Sequence, residues 1–72
     1  MQYIQFFQRS AIDNSLIEAC EDRVIVDAGL AVWRALQVGE SECKRRGYLA
    51  WQVFEGSSFT DSIAISHVNS LL

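Results

Sequence analysis

The sequence predicts a small α+β domain of order β–α(α)–β–β, in which a three-stranded antiparallel sheet packs against one helical layer. Three observations carry this reading. Aromatic and β-branched residues crowd the first seven positions. An apolar row recurs at every fourth residue through the middle of the chain. Two further strand-like runs, separated by a glycine–serine cluster, follow a basic stretch that ends in glycine.

The first strand is read from Tyr3, Ile4, Phe6 and Phe7, which sit among Gln2, Gln5 and Gln8. Aromatic and β-branched side chains suit a pleated, half-buried surface. From Arg9 to Asn14 the residues carry turn and cap chemistry. Ser10, Asp13, Asn14 and Ser15 can each accept from the free N–H groups of a helix start, so a helix is expected to follow.

The helical layer is read from Leu16 to Val38. Ile12, Leu16, Cys20, Val24, Ala28, Val32 and Leu36 form the four-residue row, and Glu18, Glu21, Asp22 and Arg23 fall largely off it. A strict four-residue row drifts around a helix of 3.6 residues per turn. Gly29 weakens a helix interior by about 1 kcal/mol. Two helical pieces with a bend near Asp27 to Gly29 are therefore expected, ahead of one long helix and of a strand over Arg23 to Asp27. Cys20 and Trp33 fall to the core in this reading. Gly39 to Gly47 extends the helix or turns; Lys44, Arg45 and Arg46 before Gly47 match a helix C-terminus, where cations meet the negative end and glycine takes the left-handed cap.

The second strand is read from Tyr48 to Phe54 and the turn from Glu55 to Ser58. The returning strand covers Phe59 to Val68, with a C-terminal helix from Ser62 as the competing reading. These strands carry apolar groups on both faces. One helical layer covers one face of a sheet, so an aromatic patch is expected on the other, as a binding surface or an oligomer interface.

Composition bounds the rest. The 72 residues are 50% hydrophobic and 21% charged, with a net charge of −3, two cysteines, one histidine and no proline. That fits one folded domain over 1–72. Domains below about 70–80 residues usually need a disulfide, a metal or association for support. Association is expected, with a homodimer or another protein. The start has no basic region or continuous apolar stretch, so no targeting segment is expected, and no run reaches membrane length. A cytoplasmic setting follows, with Cys20 and Cys43 as reduced thiols.

Chemistry is sparse. Cys20, Cys43 and His67 are too few and too dispersed for a structural zinc site, and no cofactor is expected. Cys43 beside Lys44, Arg45 and Arg46 is the more reactive thiol on sequence grounds, but a catalytic Cys–His pair lacks a partner of matching position. The carboxylate pairs Glu21–Asp22 and Glu40/Glu42 read as solvated helix faces. The glycines match neither the dinucleotide nor the P-loop spacing. A helix-turn-helix frame placed on Ala35 and Gly39 fails, because its apolar anchor falls on Arg45.

Two functional readings remain. The first is a non-enzymatic protein-binding module: an inhibitor, adaptor or assembly factor, including the anti-defence inhibitors that viruses and phages encode. Its expected contacts are Tyr48, Trp51, Phe54 and Phe59 as aromatic anchors. Arg45 and Arg46 add ionic contacts, and the acidic Glu18, Glu21 and Asp22 would meet a basic partner surface. The second is a nucleic-acid-associated regulator that binds through residues 44–46 and the neighbouring aromatics. The sequence pI of about 4.8 weighs against it.

Overall fold

A computed structural model describes residues 1–71. The elements run β1 (Gln2–Arg9), β2 (Leu16–Glu18), β3 (Val24–Val26), α1 (Val32–Arg46), β4 (Ala50–Gly56), β5 (Ser62–Ala64) and β6 (Asn69–Ser70). All six strands belong to one antiparallel sheet. β1 and β4 pair along its centre, from Gln2 opposite Glu55 to Phe7 opposite Ala50. Each then carries two short strands in succession on its outer edge. β3 and β2 lie along β1, and β5 and β6 lie along β4.

The α+β class predicted from sequence is found, but its order and strand count are not. Residues 16–31 were expected to be helical. They instead form β2, β3 and connecting turns, and the chain's helix starts at Val32. The reason lies in the arithmetic of the apolar row. A spacing of four is also two strand periods, so it keeps residues on one face of a sheet as well as on one stripe of a helix. Val24-Ile25-Val26 settles the choice, since three β-branched residues in succession suit a strand. The returning strand shrinks to β5, followed by a break and β6.

The core lies between α1 and one sheet face. Ile4 is opposite Val53 and Phe6 opposite Trp51, so the four share that face. Ile4, Phe6 and Val53 are fully buried and Trp51 is 6% exposed. Burying side chains of this size contributes about 1.5–3 kcal/mol each. The helix meets them with Ala35, Gly39 and Cys43, spaced four apart and all small. Gly39 is required by contact: a Cβ there would overlap the Trp51 indole. The helix ends as the sequence predicts. Gly47 takes φ 80°, its N–H donates to the Cys43 and Lys44 carbonyls, and Lys44, Arg45 and Arg46 occupy the last turn.

The opposite face was expected to be an open aromatic surface. The chain covers it with its own side chains. Tyr3 stacks on Phe54 at 5.4 Å, and Phe59 from the β4–β5 loop meets the Tyr3 ring edge-on at 4.7 Å. The Arg23 guanidinium lies 4.4 Å from the Phe59 ring centre. Beside them Gln5 is buried with every polar atom satisfied. Its amide nitrogen donates to the carbonyls of Phe6 and Ala19, and its oxygen accepts from Arg23 Nε at 2.8 Å. These bonds fasten the segment between β2 and β3 to the sheet.

Candidate interaction site

The β1–β4 pairing stops at Phe7, while β1 continues to Arg9 and pairs with β2. This hairpin therefore projects from the body of the sheet as an arm. Its loop, residues 10–15, is closely bonded. Ser10 N–H donates to the Ser15 carbonyl at 2.8 Å, and Asn14 N–H to the Ser10 carbonyl at 3.1 Å. The Ile12 N–H donates to Ser10 Oγ at 3.1 Å. Asp13 Oδ1 accepts from both the N–H and the hydroxyl of Ser15, which holds its carboxyl below the usual carboxylate range. Arg9 donates to the Asn14 carbonyl at 3.0 Å. Asn14 takes φ 63°, the left-handed conformation that asparagine tolerates best among residues with a side chain.

This bonded loop displays an apolar residue. Ile12 is 97% exposed, and Leu16 and Ile17 on β2 are more than two-fifths exposed. Glu18 and Glu21 stand exposed nearby. The arm thus combines three aliphatic side chains with the carboxylates of Asp13 in its loop and Glu18 at its base, and Glu21 lies in the turn beyond it.

The residues singled out from sequence are distributed differently. Trp51 belongs to the core. Tyr48 is half-buried, stacks on Phe6 at 5.1 Å and donates its hydroxyl to Asp22 at 2.9 Å, which raises its own pKa. Phe54 is half-buried against Tyr3, and Phe59 is 38% exposed over the same ring. Glu18, Glu21 and Asp22 lie on β2 and the turn that follows it, not on a helix as expected. Asp22 is committed to Arg46 as well as to Tyr48. Every cation at 44–46 has a carboxylate partner: Lys44 pairs with Glu40, Arg45 with Glu42, and Arg46 with Glu42 and Asp22.

Three further expectations differ from the structure. Cys20 was placed in the core and is exposed, because β2 ends just before it at the sheet edge. Cys43 was read as the reactive thiol. It is fully buried on the sheet-facing side of α1, and burial pushes its pKa up in spite of the basic residues that follow. Trp33 was assigned to the core and is 64% exposed, in the first turn of the helix on the side away from Ala35 and Gly39. The sequence signal for the arm was present in Ser10–Ser15: a polar turn cluster containing Asp-Asn, between Phe6-Phe7 and Leu16-Ile17, fits a hairpin as well as a helix start.

His67 is exposed at the rim of a shallow groove with Gln52 and Ser66. Among the described residues no group of three or more His, Cys, Asp or Glu side chains is placed to hold a metal ion, and no helix is long and apolar enough to cross a membrane. Comparison with protein-family models, curated proteins and solved structures finds no match.

Proposed function

We propose that this chain is a small non-enzymatic protein-binding module that acts as an inhibitor, adaptor or assembly factor by inserting its β1–β2 arm into a partner protein. The observation that carries the reading is Ile12, 97% exposed at the tip of a loop held by its own hydrogen bonds. Burying such a side chain in a partner pocket yields about 1.5–3 kcal/mol. A loop already ordered loses little entropy on binding. Asp13 beside the aliphatic tip, with Glu18 at the base of the arm and Glu21 in the turn beyond it, favours a partner surface with basic groups. That arrangement suits an inhibitor that occupies a functional cleft, and the small acidic chain fits the anti-defence inhibitors of viruses and phages. The exposed free thiol of Cys20 fits the reducing cytoplasm.

The test is affinity capture from host lysate with the tagged chain, with and without nuclease, alongside Ile12→Asp. The reading expects a discrete protein that survives nuclease and is lost with Ile12→Asp. Capture that depends on nucleic acid would transfer the function to the alternative regulator reading. The carboxylate pairing of Lys44, Arg45 and Arg46 supports the protein over the nucleic acid.

A further inference from the structure

We infer that the outer edge of β3 pairs with the same edge of a second copy of this chain, about a two-fold axis at Ile25. Met1 exchanges hydrogen bonds with Gly56 across β4, while Phe6 accepts from Ala19 and Ser10 donates to Ser15 on the other side. Odd residues of β1 therefore bond toward β4, and even residues toward β2 and β3. Gln2 opposite Val26 and Ile4 opposite Val24 are then the bonded pairs of β3. Ile25, between them, turns its N–H and C=O away from β1, and among the described residues β3 pairs with no other strand.

The sequence around that edge is complementary to itself. Antiparallel pairing centred on Ile25 sets Ile25 against Ile25 of the second copy, and the two residues exchange both backbone bonds. Val24 falls opposite Val26. Arg23 falls opposite Asp27, and the same pair recurs across the axis. Arg23, Ile25 and Asp27 alternate onto one sheet face, so each charge meets its opposite on that face. Arg23 uses Nε for Gln5 and its two terminal nitrogens make no hydrogen bond or ion pair. The Asp27 carboxylate makes none either among the described residues.

Packing agrees with this register. Ile25 is 63% exposed and would be covered. Val24 and Val26 pack against the core from the helix side, so their pairing continues that core across the seam. Val24–Val26 carries no proline or lysine, the residues that commonly guard a free edge. The two arms would leave the dimer at opposite ends. The inference does not depend on what the arm binds.

The experiment uses the full chain with Cys20→Ser, into which Ile25→Cys is introduced. Bonded antiparallel partners stand about 5.5 Å apart at Cα, inside the usual disulfide range of about 4.4–6.8 Å. Mild oxidation should give a covalent dimer in high yield, whereas Ile63→Cys in the same background should stay largely free of covalent cross-links. In parallel, light scattering after gel filtration should give twice the chain mass for the unaltered protein. Asp27→Lys should shift it to the monomer by setting lysine against Arg23, with an unchanged melting curve showing that the fold survives. A monomeric mass at every concentration overturns the inference. So does a dimer indifferent to Asp27→Lys, or cross-linking no better at 25 than at 63.

Discussion

Gly39 lies against the indole of Trp51 with no room between them for a Cβ. The contact fixes how closely α1 approaches the sheet, and it sets helix propensity against packing. Alanine favours a helix interior over glycine by about 1 kcal/mol. Forcing a methyl group into a filled core costs about 1–3 kcal/mol. Gly39→Ala is therefore expected to destabilise the domain on balance, and in a domain of this size each lost kcal/mol lowers Tm by roughly 4–8 °C. Thermal melting followed by circular dichroism measures it; a raised Tm would show that the helix stands further from Trp51.

The two thiols are expected to differ sharply. Cys20 is exposed, whereas Cys43 is fully buried with a raised pKa. A chromogenic disulfide reagent at neutral pH should titrate one thiol in the native protein and two in denaturant. Cys20→Ser should abolish the native reaction, and two fast native thiols would contradict the placement of Cys43.

Acid should weaken the ion pairs of the last turns of α1. Hydrogen bonds from Arg46, and then from Arg45, hold the Glu42 carboxyl below its usual range. A carboxyl lowered in the folded state stabilises it above the unfolded-state pKa, and that contribution is lost as pH falls through the lowered value. Stability should thus decline below the ordinary carboxylate range, and Glu42→Gln should flatten part of that decline. Urea unfolding at several pH values reads the slope. An identical acid limb in Glu42→Gln would remove Glu42 from the account.

Core and arm should respond oppositely to substitution. Trp51→Ala is expected to cost about 3–5 kcal/mol, enough to unfold much of a marginal domain. Ile12→Asp changes a side chain that touches little, and should stay within about 0.5 kcal/mol of the parent. Equilibrium unfolding of the two variants separates the roles; a large loss from Ile12→Asp would mean that the arm is a structural element.

The parts of the fold legible in the sequence are those fixed by local chemistry. Tyr3 to Phe7 and Tyr48 to Phe54 read as strands because aromatic and β-branched residues suit a pleated surface, and both are found in the central pair. Lys44-Arg45-Arg46-Gly47 read as a helix end, and Gly47 adopts the left-handed cap. What stayed hidden depends on long-range pairing. Leu16–Glu18 and Val24–Val26 are three-residue strands made by register against β1, too short to show a period of their own, so a strand over Arg23 to Asp27 ranks only third on sequence alone. Trp33 illustrates the same point at the site. Its position on a helix was legible, but which flank stays open depends on where Gly39 seats against Trp51. The Arg46–Asp22 pair was invisible for a related reason, since Asp22 reaches Arg46 only through the turn that β2 and β3 create.

The central claim is that the arm tip enters a partner protein. A photo-cross-linking residue installed at Ile12, and separately at Lys44, tests it most directly in host lysate after nuclease treatment. The account predicts a discrete protein adduct from position 12 and none from position 44. An adduct from position 44 with none from position 12 would contradict it.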